Sequence, residues 1–130
     1  MNDVLVANLI TFLETGTPPE GLFGPDSFCD LTLPQWRLQA RGIEDLIALR
    51  KGGHPAPGTV ARHRVDPTPT GFVIEVEERW EQDEQHWYCR ELIRADVEGD
   101  TIARLSVYCT GDWDEAQQHR HAEEVTLLEP

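Results

Sequence analysis

Positive charge is scarce in this chain. Lys and Arg together number 11 against 24 Asp and Glu, a formal net charge of −13 over 130 residues. Nucleic acid and anionic lipid are held through cationic side chains, so a nucleic-acid or membrane partner is not expected. No apolar run approaches the roughly 20 residues that cross a bilayer. The opening Met1-Asn2-Asp3-Val4 has no basic stretch of the kind that begins a secretory leader, so a cytoplasmic protein is expected. Cysteine is sparse, with Cys29, Cys89 and Cys109 far apart and no CxxC. That spacing suits reduced, partly buried thiols rather than a disulfide framework or a zinc centre. There is no glycine-rich phosphate loop, no nucleophile elbow and no internal repeat. His119 and His121 bracket Arg120 without a fixed carboxylate or Cys at ligand spacing, so neither a metal nor a cofactor is expected.

What is present suits one domain spanning residues 1–130. Hydrophobic residues make up 39%, enough for a core. Val4, Leu5, Leu9, Phe12 and Leu13 recur at helical spacing and predict a helix over about 3–14, stopped at Gly16. Gly21 to Pro25 reads as a turn. Phe28 to Leu33 alternates and ends at Pro34, a short strand. Gly42 opens a second helix over 43–51, ended by Gly52-Gly53. Strands follow over 59–65, 72–81, 86–95 and 101–109, and the tail is partly helical around 115–123. Short loops between long neighbours predict an antiparallel meander.

The meander can be placed in register. If Gln82 faces Gln85, Trp80 lies opposite Trp87, Glu78 opposite Cys89, Val76 opposite Glu91 and Ile74 opposite Ile93. A three-residue loop at Glu98-Gly99-Asp100 then brings Ile93 to Leu105, Glu91 to Val107 and Cys89 to Cys109. One face is apolar, including Ala103, Leu105 and Val107. The other carries Glu75, Glu77, Arg79, Tyr88, Arg90, Arg94 and Arg104, a solvent or dimer surface.

Three segments carry a resemblance to the NTF2-like superfamily, in particular its SnoaL-like and limonene-epoxide-hydrolase-like branch. They are Phe28-Cys29-Asp30-Leu31-Thr32-Leu33-Pro34 with Gly42-Ile43-Glu44-Asp45-Leu46, then Glu98-Gly99-Asp100-Thr101-Ile102, then Val107-Tyr108 running into Gly111-Asp112-Trp113. The resemblance implies an α+β cone, with N-terminal helices packed on a curved antiparallel sheet around a pocket, and commonly a homodimer. It implies either a cofactor-independent isomerase, cyclase or dehydratase, or a non-catalytic binding or interaction domain. The epoxide-hydrolase acid in the last strand falls on Val107, no Arg-x-Asp occurs at Glu77-Glu78-Arg79, and that branch's first-strand Tyr and Asn fall on Phe28 and Asp30.

Candidate site residues follow. Glu78 and Glu91 fall on the apolar face, where a carboxylate is costly unless paired or protonated and where burial moves its pKa toward acid–base use. They could equally sit at an open cone mouth or beside a bulge. Alternation with Cys29, Leu31 and Leu33 turns Asp30 outward, but the resemblance gives it a pocket position, and since a pocket-lining face need not be the apolar one it is expected in the pocket as a third carboxylate able to move a proton. His63, between Arg62 and Arg64, is expected inward with Ala61 and Val65, either as a core histidine or as a catalytic partner. Phe28, Trp36, Trp80, Trp87, Val107 and Tyr108 are the expected ligand contacts for a small apolar molecule. The Trp80–Trp87 pair is worth ~0.5–1.5 kcal/mol beyond burial, whether it packs the core or walls a ligand. Cys89 and Cys109 read as small buried hydrophobes.

Overall fold

The computed structural model describes residues 2–130. In chain order it has helix α1 (Asp3–Thr15), strands β1 (Phe23–Leu33) and β2 (Trp36–Arg41), and helix α2 (Ile43–Gly53). Strands β3 (Gly58–Thr68), β4 (Gly71–Gln82), β5 (Gln85–Glu98) and β6 (Thr101–Cys109) and helix α3 (Glu115–Glu124) complete it. The six strands make one curved, unclosed sheet in the order β2-β1-β6-β5-β4-β3.

Two sequence expectations are corrected here. Pro34 does not end the first sheet excursion. It starts a tight turn with Gln35 at a φ of 66°, the Pro-then-positive-φ pattern of a type II turn, and Leu33 pairs with Trp36 to open β2. The sheet is also not wholly antiparallel. β1 runs parallel to β6, because the chain completes the whole meander before its last strand returns beside the first.

The β4–β5 register is as expected, pairing Glu78 with Cys89, Val76 with Glu91 and Trp80 with Trp87. Its turn has only Asp83 and Glu84, at φ 54° and 61°, the doubly left-handed form that matches strand twist. The β5–β6 register is two residues away from expectation: Ile93 pairs with Val107, Ala95 with Leu105 and Glu91 with Cys109. The loop is a two-residue turn, Gly99-Asp100, and a bulge follows between Asp96 and Val97. A shift of two leaves the face of each later side chain unchanged, so Leu105 and Val107 still point inward. The bulge changes one assignment, since Ile102 is fully buried while the expected Ala103 is not.

On the inner face, Leu5, Leu9, Phe12 and Leu13 of α1 and Leu46 of α2 close over Phe72, Ile74, Ile93, Ile102 and Leu105. The outer face is not left bare. The segment leading into α3 bridges Trp113 to Tyr88, with ring centroids 5.4 Å apart, and so covers one end of β5. No helix among the described residues is long and apolar enough to cross a membrane.

Candidate functional site: a carboxyl pair in an apolar cavity

A cavity of about 370 Å³ lies between the two N-terminal helices and the sheet. Leu9, Phe12 and Leu13 roof one side, Ile93, Leu105 and Val107 form the floor, and Pro34 and Trp36 stand at its rim. Only a few polar groups interrupt this lining, chiefly Glu91, Arg50, His54, Asp112 and the thiols of Cys29 and Cys109.

Strand pairing puts Glu78 and Glu91 together. Glu78 lies opposite Cys89, and Glu91 is two residues further along β5 on the same inward face. Both are buried, with residue exposures of 3% and 6%. Arg50, from the last turns of α2, makes a two-pronged ion pair with Glu78 and also donates to the Leu13 carbonyl. The pair is 12% and 4% exposed, so the charges neutralise each other away from water. The Cys89 thiol lies 3.8 Å from the second Glu78 oxygen.

The two carboxyls diverge in acidity. Burial pushes Glu91 well above the ordinary value of 4.5, the adjacent Glu78 charge and hydrogen bond push it further, and Arg50 only partly offsets this. Burial alone would raise Glu78 too, but the hydrogen bond from Glu91 and the Arg50 charge more than reverse it. The pair therefore holds one proton, on Glu91, which donates to the Glu78 carboxylate. One Glu91 oxygen, Oε1, is buried with no partner. A neutral carboxyl on a residue that lines a mostly apolar cavity can donate a proton to a ligand oxygen. It can also accept one on the free oxygen while passing its own to Glu78.

A second polar group stands on the cavity wall. His54 caps the C-terminus of α2, hydrogen-bonds Asp112 at 3.0 Å, and rests on the Trp80 ring with centroids 4.3 Å apart. Among the described residues, two groups bring three ligating atoms within 4.8 Å of one another: Glu78, Cys89 and Glu91, and His54, Cys89 and Asp112. In the first, Arg50 already supplies the cation. In the second, the His54–Asp112 hydrogen bond engages both partners.

Of the residues singled out from sequence, Glu91, Val107 and Trp36 line this cavity, and Glu78 is buried beside it, paired with the lining Arg50. The others do not. Asp30 is not in the pocket as expected: it points outward, following the alternation of the strand, and is held by Arg37 through two contacts of 2.9 and 2.6 Å. Cys29, Leu31 and Leu33 take the inward positions instead. Phe28 is also on the outer face, sandwiched between the Arg41 and Arg104 guanidiniums at 4.8 and 4.7 Å. Tyr108 is 58% exposed on that same face. His63 pairs with inward Val76 and so has the expected face, yet it is exposed on β3, an edge strand of the sheet. Trp80 and Trp87 stack at 6.3 Å with planes 9° apart, but they line a shallow depression at the hairpin end rather than the cavity.

Arg50, His54 and Asp112 were not anticipated. A signal for the first two exists: Leu46, Arg50 and His54 recur every four residues, so an Arg and a His continue the buried stripe of α2.

No protein-family model matches the sequence, and no curated protein matches it. Solved structures do match in shape. An NTF2-like protein from Anabaena variabilis superposes with a TM-score of 0.69 at 16% identity, over 85% of this chain and 87% of that one. A phenazine biosynthesis-related protein from Pseudomonas aeruginosa gives 0.62 at 14% identity, over 99% and 92%. An NTF2-like protein from Cytophaga hutchinsonii gives 0.57 at 18% identity, over 84% and 99%. At such identities the likeness is one of architecture: the chain has the NTF2-like cone fold, three helices and a six-stranded curved sheet.

Proposed function

We propose that the cavity takes a small, largely apolar molecule bearing a carbonyl or hydroxyl oxygen, and that Glu91 moves a proton on it. The reaction class is cofactor-independent isomerisation, cyclisation or dehydration, in keeping with the SnoaL-like enzymes the sequence resembles. The observation that carries this reading is Glu91 itself, a buried carboxyl with an unpartnered oxygen, on a residue that lines a mostly apolar cavity. Arg50 fixes Glu78 as an anion, Glu78 orients the Glu91 proton, and the apolar walls exclude water and strengthen the resulting hydrogen bonds.

The test uses α-proton exchange. Small cyclic ketones such as cyclohexanone and 2-tetralone, incubated with the protein in D2O, are expected to take up deuterium faster than in buffer. The Glu91→Gln variant should lose roughly 100-fold or more of that acceleration, the usual scale of one general acid–base group. Acceleration that survives Glu91→Gln would overturn the assignment. A second reading, a non-catalytic carrier, is favoured by Val107 standing where the resemblance places a last-strand acid. Ligand binding by the wild type without any exchange would select it.

A further inference from the structure

The cavity holds a second hydrogen-bonded pair, His54 with Asp112, and both residues line it alongside Glu91. His54 caps the C-terminus of α2, its backbone N–H bonded to the Arg50 carbonyl at 2.8 Å. One turn earlier on the same stripe, Arg50 grips Glu78. One helix end thus brings a guanidinium to the carboxyl pair and an imidazole to the cavity wall. Asp112 comes from the segment after β6. Gly111 turns the backbone there at a φ of 81° and packs so close to Pro34 that a Cβ would lie 3.1 Å from the proline ring. A larger residue would push this segment off the rim, and Asp112 with it.

His54 Nε2 lies 3.0 Å from Asp112 Oδ1, with side chains 11% and 35% exposed. A carboxylate only accepts, so Nε2 carries the proton and the neutral ring keeps its lone pair on Nδ1. Among the described residues no hydrogen bond engages Nδ1. Contact with the Trp80 ring, centroids 4.3 Å apart, helps to fix the imidazole. The two polar pairs are neighbours. The Cys89 sulfur has ligating atoms of His54 and Asp112 within 4.8 Å, and carboxylate oxygens of Glu78 and Glu91 within the same distance. One small molecule can therefore reach a proton donor at Glu91 and a proton acceptor at His54.

We propose that His54 is the base of this cavity, taking a proton from the carbon next to a ketone carbonyl while Glu91 protonates the carbonyl oxygen, so that the substrate class is the enolisable ketone. The assignment rests on the Glu91 reading above and divides its labour. Nδ1 takes the α-proton, the C–H electron pair becomes the C=C bond of an enol, and the Glu91 proton passes to the oxygen. The imidazolium that forms is stabilised by the Asp112 carboxylate, which acts as a positioning residue. Reversal returns the enol proton to Glu91 and a proton to the carbon, so no co-reactant is consumed. An epoxide or an isolated alcohol offers no such acidic C–H, and His54 would have nothing to remove.

The experiment follows deuterium uptake by 2-tetralone in D2O with the wild type, His54→Ala and Glu91→Gln. His54→Ala should lose roughly 100-fold or more of the acceleration and regain it in proportion to added imidazole, which fills the vacated space. Glu91→Gln should lose rate with no rescue by imidazole. Side-chain nitrogen NMR of the wild type should show the ring of residue 54 protonated on Nε2 and bare on Nδ1, and Asp112→Asn should abolish that fixed tautomer. Exchange by His54→Ala at the wild-type rate, a loss that imidazole does not restore in a folded variant, or a proton on Nδ1 in the resting protein would each overturn the base while leaving Glu91 in place. No acceleration by the wild type would overturn both assignments. The tautomer is read on the wild type, so it decides even where a variant folds poorly.

Discussion

Replacing Glu91 by Gln should change how stability depends on pH, and the size of the change follows from the carboxyl pair. A raised native pKa means that the folded protein keeps a proton which the unfolded chain releases near 4.5. The contribution is fully present below that value and is lost as pH rises toward the native pKa. One retained proton costs about 1.4 kcal/mol of stability per pH unit across the window. Glu78 acts in the opposite sense and in a different window. Its lowered pKa contributes stability above 4.5 that is lost as pH falls further. Glutamine keeps the shape and can donate to Glu78, but it does not titrate. The stability of Glu91→Gln relative to wild type should therefore rise with pH, by roughly 2.7 kcal/mol between pH 5 and 7 if Glu91 stays protonated throughout. With a urea slope near 2 kcal/mol/M, that is a midpoint difference growing by about 1.3 M. Tryptophan fluorescence in urea at a series of pH values measures it, and the other carboxylates cancel in the comparison. Parallel curves for the two proteins from pH 5 to 8 would refute the shared proton.

Removing the guanidinium in Arg50→Met should cost about 3–5 kcal/mol at neutral pH, because Glu78 is left as an unpaired buried charge, and part of the loss should be recovered at acid pH as Glu78 protonates; urea titrations at two pH values read both. Gly71→Ala should cost about 3 kcal/mol by the same assay, since a Cβ there would lie 2.1 Å from the Ala95 carbonyl oxygen. Asp83→Asn with Glu84→Gly should raise stability by about 1 kcal/mol, replacing two strained left-handed residues with the pair that such a turn prefers. A homodimer is expected through the outer face, where Leu92 and Tyr108 are 46% and 58% exposed among Arg90, Arg94 and Arg104; light scattering at micromolar concentration should give twice the chain mass, and Leu92→Glu should reduce it to one.

The parts of this structure that the sequence made legible are those in which a local rule and a long-range one agree. The β4–β5 hairpin is the clearest case. Alternation over Phe72 to Glu81 and His86 to Ala95 fixes two faces, and only the Gln82–Gln85 closure keeps them apolar and polar, so Glu78 and Glu91 could be placed inward before any coordinate. Where the rules disagreed at Asp30, the pleat was the better guide. Successive side chains in a strand must point to opposite faces, and Cys29 and Leu31 fill the inward positions that a family pattern would have given to Asp30. The β5–β6 error has the same lesson at another scale. A turn one residue shorter and a bulge one residue longer move the register by two, which preserves the face yet changes every partner. That displacement brings Cys109 beside Glu91 instead of beside Cys89 and makes the thiol pair diagonal. What periodicity could not supply is depth. His63 has the correct face, but its strand is an edge, and strand order is a property of the whole sheet. Arg50 and His54 were hidden for the complementary reason. Their four-residue spacing after Leu46 marks the stripe, but only the folded sheet places a carboxyl pair and Asp112 across from them. The proton on Glu91 therefore depends on groups from three separate stretches of the chain, α2, β4 and β5, and no motif within any one of them encodes it.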